Sequence, residues 1–174
     1  GRRGRAGACG ARAGASAACG TASGRVEPGD HMATVGGSHW RYHVAGHGPL
    51  LVVQAPGWGI GTDYLANGLS RLTAHFTVIT YDPRGTGRST LVSASDHVTN
   101  ADLANDLEGL RIYWGLSSMN LLGHSNGSAI AIVYAETHPS KVDKLILVGS
   151  QLLGYAGDSG PDYDAEKARR KASP

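Results

Sequence analysis

Cysteine is nearly absent: the 174 residues hold two, Cys9 and Cys19, both within the first 24. None remains to cross-link the body, so the fold cannot depend on disulfides. Long apolar runs are missing too, and none approaches the ~18 residues needed to span a bilayer. The opening stretch GRRGRAGACGARAGASAACGTASG lacks Val, Ile, Leu, Met, every aromatic and every acid. With nothing to bury and many glycines to order, it is expected to be disordered. It also lacks the apolar core of a secretory signal.

The charge balance excludes further classes. The formal charge of +2 arises at the N-terminus, where residues 1–30 hold five arginines (Arg2, Arg3, Arg5, Arg12, Arg25) against Glu27 and Asp30. The remainder carries eleven basic and twelve acidic residues, a net of −1. That balance predicts neither nucleic acid nor an anionic membrane as a partner. The tail's arginines resemble a mitochondrial transit peptide, but its glycines spoil an amphipathic helix. Its arginine–glycine pairs are too scattered for an RNA-binding tail. Gly, Ala and Arg all have GC-only codons and the first methionine is Met32. We therefore expect a translated GC-rich upstream region and a native start at or near Met32. The expected organisation is a disordered tail over 1–31, a core over 32–150 and a cap or linker over 151–174. A cytoplasmic location is the default.

What is present alternates between two periodicities. HWRYHVAG, from His39 to Gly46, alternates polar and apolar residues as a half-exposed strand does. PLLVVQAP is a continuous apolar run, suited to a strand buried on both faces. A helix is predicted from about Thr62, with Leu65, Leu69 and Leu72 at helical spacing. FTVITYD, Phe76 to Asp82, reads as a second buried strand, closed by the turn PRGTGRS. Thr99 and Asp102 are spaced as a capping box, with Leu103, Leu107, Leu110 and Trp114 as the stripe that follows. MNLLGHS is a third buried strand. It runs into a helix carrying Ile130, Val133 and Tyr134 and stopped by Pro139, and KLILVGS is a fourth. Such alternation predicts an α/β fold, a mostly parallel sheet with helices on both faces.

Gly123-His124-Ser125-Asn126-Gly127 fits G-x-S-x-G between a strand and a helix. The spacing is steric: a serine in a strained turn needs neighbours two residues away without side chains. The result is an exposed hydroxyl at a helix N-terminus, where backbone amides can stabilise an oxyanion. GTGRST could be read as a phosphate loop, but its third glycine position is Thr90 and Pro83-Arg84 reads as a tight turn. Asp82 and Arg84 are expected to hold that turn together.

Three motifs in this order, QAPGWG after a strand, YDPRGTGRS and GHSNG, resemble the N-terminal part of the α/β-hydrolase fold over residues 39–150. The resemblance is to the group of prolyl iminopeptidases, epoxide hydrolases and esterases. It implies Ser125 as nucleophile, with the amides of Trp58 and Asn126 as oxyanion donors. A serine there disfavours epoxide hydrolase and dehalogenase chemistry, which uses aspartate. Pro56 stands where the family usually has a histidine that braces the oxyanion loop.

A serine hydrolase of this fold takes its acid and then its histidine from later in the chain. The sole later histidine is His138, thirteen residues along a helix and so about 20 Å away. A base must reach about 2.6–3.2 Å. His124 is expected to point away, and His97, on the same rim, is a conceivable substitute base. Asp158, Asp162 and Asp164 follow the last visible strand, but none sits at a strand end. His31, His39, His43 and His47 lie on or near strands and read as surface residues, so no metal site is expected. The chain is thus expected to be an incomplete hydrolase fold lacking its last strands, with the acid and histidine beyond residue 174. KLILVG would then be an apolar edge. The implied activity is cleavage of an ester, amide or peptide bond in a small molecule or short peptide, without a cofactor. The alternative is a non-catalytic short form that binds a small ligand or a protein partner.

Overall fold

A computed structural model describes residues 25–57, 59–93 and 95–150. The expectations for 1–24 and 151–174, including Asp158, Asp162 and Asp164, lie outside the described residues. The order is β1 (Gly29–Val35), β2 (Ser38–Gly46), β3 (Leu50–Gln54), a 3-10 turn (Thr62–Leu65) and α1 (Ala66–Leu69). Next come a second 3-10 turn (Leu72–Ala74), β4 (Thr77–Tyr81), α2 (Asn100–Tyr113) and β5 (Met119–His124). α3 (Asn126–Thr137), a third 3-10 turn (Pro139–Lys141) and β6 (Val142–Val148) follow.

The six strands form one sheet in the order β1-β2-β4-β3-β5-β6. β2 pairs antiparallel with both β1 and β4, whereas β4, β3, β5 and β6 run parallel. Alternation along each strand divides the core in two. Trp40, Tyr42, Val52, Ile79, Tyr81, Met119 and Leu121 face α2 and α3, where Leu103, Leu107, Leu110, Trp114, Ile130 and Tyr134 complete the larger cluster. On the opposite face Leu51, Val53, Val78 and Leu122 pack with Leu65 and Leu69 in a smaller one. The capping box forms as read: Thr99 Oγ1 accepts from Asp102 N, and Asp102 Oδ2 accepts from Thr99 N at 2.8 Å.

Two expectations are corrected. The boundary at 31/32 cuts through β1, which starts at Gly29 and pairs in register with β2 from Gly29↔Val44 onward. The folded body reaches back to Arg25, whose carbonyl accepts from Tyr42 Oη at 2.8 Å and whose guanidinium binds Tyr113 O. GDHMATV gives little strand signal because it buries only Ala33 fully. The helix from Thr62 is fragmentary, one 3-10 turn and one α turn. Asn67 and Gly68 are poor helix formers, although Leu65 and Leu69 are buried as their spacing implied.

Among the described residues β6 is the outer strand of the sheet on its side, and Leu145, Ile146, Leu147 and Val148 on it are exposed. No helix among the described residues is long and apolar enough to cross a membrane.

Candidate active site

The end of β5 leads directly into α3, and Ser125 occupies the junction. Its backbone, φ 57° and ψ −126°, makes it the sole non-glycine residue with positive φ among those described. That conformation is strained by roughly 1–3 kcal/mol. The surroundings hold it: Ser125 N donates to Val148 O at 2.9 Å, Ser125 O accepts from Ser128 N at 2.9 Å, and Ser128 Oγ donates to Gly123 O at 2.9 Å. Both elbow glycines are required for space. A Cβ on Gly123 would stand 2.6 Å from Ser128 Cα, and one on Gly127 would stand 2.2 Å from Gln54 O. The Ser125 side chain is left exposed at the positive end of a twelve-residue helix.

The neighbouring loop is braced by a residue whose side chain drew no attention in the sequence. Buried Asn126 donates from Nδ2 to Pro56 O at 3.0 Å, fastening the α3 N-terminus to the loop after β3. Gln54, fully buried, donates to Ala55 O at 2.9 Å and accepts from Tyr81 Oη. Gly57 O accepts from Ile60 N at 3.2 Å, so the loop closes as a tight turn. Trp58 lies outside the described residues.

The DPRGTGRS turn is built around Asp82. Its Oδ1 accepts from Thr62 N and Oγ1 at 2.8 and 2.9 Å, and its Oδ2 from Arg88 N at 3.0 Å. Gly87 is required because a Cβ there would meet Asp82 Oδ2 at 2.2 Å. Arg84 departs from expectation. Instead of holding the turn, it reaches α2 and grips both carboxylate oxygens of Asp106. Burial pushes the Asp106 carboxyl up, against the pull of that guanidinium.

The histidines do not converge on Ser125. His124 is turned to Tyr64, its Nδ1 2.8 Å from the hydroxyl, and burial raises the Tyr64 phenol. His138 caps α3 and stacks on Tyr134 with ring centroids 4.9 Å apart. His97 is exposed in the loop before α2 and makes no hydrogen bond to Ser125. His31 bonds to Glu27 O, His39 to Thr34 Oγ1 and His43 to Asp30 Oδ1. No group of three or more metal-ligating side chains occurs among the described residues. The Tyr64–His124 contact spans sixty residues and left no mark in the sequence.

Ser125 is thus a strained serine in a sharp turn between a parallel strand and a helix, beside the loop that follows the neighbouring strand. A family profile described as alpha/beta hydrolase fold matches residues 50–173, and the chain belongs to that family. It is 33% identical over 134 residues to a proline iminopeptidase of Xylella fastidiosa (strain Temecula1), covering 74% of this chain and 42% of that protein. It is 32% identical over 111 residues to a putative carbamate hydrolase RutD of Caulobacter sp. (strain K31), covering 62% of this chain and 41% of that protein. Among solved structures, a proline iminopeptidase-related protein of Thermus thermophilus superposes with a TM-score of 0.66 at 26% identity, over 72% of this chain and 46% of that one. The chain spans less than half the length of these relatives.

Proposed function

We propose that Ser125 is the nucleophile of a serine hydrolase that cleaves an ester, amide or peptide bond in a small substrate. The observation that carries this reading is the Ser125 backbone: a strained, exposed serine flanked by two glycines that admit no side chain. In the reaction the Ser125 oxygen bonds to the substrate carbonyl carbon while its proton passes to a base. The tetrahedral oxyanion is met by the Asn126 amide at the α3 N-terminus and by the Trp58 amide, each such donor contributing roughly 10²–10³ in rate. Collapse breaks the bond to the leaving group, which takes the proton, and water then releases the acyl group from Ser125. No cofactor enters. None of the described histidines bonds to Ser125, so this reading places the base and its acid outside the described residues.

The native protein, incubated with a fluorophosphonate, should gain one phosphonyl group on Ser125 and lose esterase activity in step. Ser125→Ala should abolish both. Esterase activity that survives Ser125→Ala, or labelling at another residue, would sink the assignment.

A further inference from the structure

Ser125 lies between two side chains that reach the same loop. On one side Asn126 Nδ2 donates to Pro56 O at 3.0 Å. On the other, His124 Nδ1 stands 2.8 Å from Tyr64 Oη, with the ring centroids 5.6 Å apart and the planes at 50°. Pro56 and Tyr64 bracket the loop that leaves β3, and Ile60 N closes a turn within it by donating to Gly57 O. The loop is therefore fastened to the elbow at both ends, by the two residues that adjoin Ser125.

What stands behind the Tyr64 tie gives it its character. Tyr64 sits on the 3-10 turn Thr62–Leu65, and that turn is anchored from below. Thr62 N and Oγ1 both donate to Asp82 Oδ1, at 2.8 and 2.9 Å, and Leu65 is buried in the smaller core cluster. The Tyr64 side is open by contrast, the residue being 46% exposed. Neither its hydroxyl nor the His124 ring has another hydrogen-bond partner among the described residues. The contact is thus a polar strut running from a fixed turn to the end of β5. It adds little to stability, because in its absence water would serve both groups almost as well. What it sets is geometry.

We propose that Tyr64 is a positioning residue for the hydrolysis: acting through His124, it holds the loop after β3 at a set distance from Ser125. The inference rests on the reading of Ser125 as the nucleophile. In that reaction negative charge develops on a substrate oxygen between the α3 N-terminus and this loop. Donors there are effective only if their places are set before the charge appears. A displacement of about 1 Å can cost about a hundredfold in rate. With the Asn126 tie intact, loss of the Tyr64 hydroxyl moves the loop by less and costs correspondingly less. The loss falls on the transition state and leaves binding of the substrate unchanged.

The test is phosphonylation of the native protein and its variants over a range of concentrations of an alkyl fluorophosphonate. The maximum rate and the half-saturating concentration are read separately. Tyr64→Phe keeps the ring and removes only the hydroxyl. Its maximum rate should fall about threefold to tenfold, the rate equivalent of one hydrogen bond. The half-saturating concentration should not change, and the melting temperature should stay within about 2 °C of the wild type. A merely structural contact would do the reverse, lowering the melting temperature and sparing the rate of the folded protein. His124→Asn, whose amide takes the place of Nδ1, should label close to the wild-type rate, whereas His124→Ala should be slowed. Adding Tyr64→Phe to His124→Ala should cause no further loss, as expected of two partners in one interaction. If Tyr64→Phe labels at the wild-type rate, or the two losses multiply in the double variant, the positioning role is wrong and the nucleophile reading stands. A wild-type protein that takes no label on Ser125 would sink both.

Discussion

Gly127→Ala tests the steric basis of the elbow. The added methyl would stand 2.2 Å from Gln54 O and 2.9 Å from both the carbonyl carbon and oxygen of Ala55. All three are main-chain atoms at the end of a buried strand, so no side chain can swing aside. Either the first turn of α3 lifts or the end of β3 yields. Overpacking of this kind costs about 1–3 kcal/mol, and rigid backbone puts the cost near the upper figure. With roughly 2–8 °C of melting temperature per kcal/mol across small domains, a drop of about 10 °C is expected. Lifting α3 also strains the Asn126–Pro56 bond, so phosphonylation of Ser125 should slow by at least about tenfold, the rate equivalent of 1.4 kcal/mol. Gly68→Ala is the control. Its Cβ meets nothing within 4 Å, so the change should be neutral or stabilise by up to about 1 kcal/mol. A thermal melt by circular dichroism and a labelling time course measure both. If Gly127→Ala melts with the wild type and labels at the same rate, the steric account of the elbow is wrong.

Three further outcomes follow from the surrounding network. Thr99→Ala removes the capping-box hydroxyl that accepts from Asp102 N and should cost about 1 kcal/mol in urea unfolding; no change would show that the α2 terminus is held by packing alone. Asp82→Ala leaves the donors of Thr62 and Arg88 without their shared acceptor. At about 1–3 kcal/mol for each unsatisfied buried donor, it should lower the urea midpoint more than Thr99→Ala does. Glu108 is held at about 2, against a usual 4.5, chiefly by the Arg111 guanidinium and further by the Tyr134 hydroxyl, with burial opposing. Because the folded value is depressed, its contribution is present above 4.5 and is lost as pH falls toward 2. Glu108→Gln should therefore flatten the stability–pH curve between pH 2 and 4.5, and an unaltered acid limb would refute the assignment.

How legible a feature was depended on how local its cause is. The capping box, the stripe of α2 and the two elbow glycines were readable because each depends on residues within a few positions of one another. β1 was hidden because a strand that buries only Ala33 fully carries almost no pattern. α1 was overread because leucines at helical spacing mark a buried face, while Asn67 and Gly68 decide whether the turn continues. Arg84 illustrates a third kind of failure. Its motif is local, but its partner Asp106 lies on another element, and nothing in the turn announces it.

The same distinction explains how the strained serine persists. GHSNG permits the conformation of Ser125 by removing side chains two residues away on either side, yet permission alone does not supply roughly 1–3 kcal/mol. The stabilising contacts come from elsewhere in the sheet: Val148 O at the end of β6 accepts from Ser125 N, and Pro56 O after β3 accepts from Asn126 Nδ2. β3 and β6 flank β5 on its two sides, so the elbow is clamped from both neighbours at the level where the serine must be presented. A motif match outside such a sheet would have the glycines without the clamp, and the serine would relax into an ordinary helix N-cap. The position of β6 beside β5 is therefore as much a part of the geometry of Ser125 as the five residues of the motif.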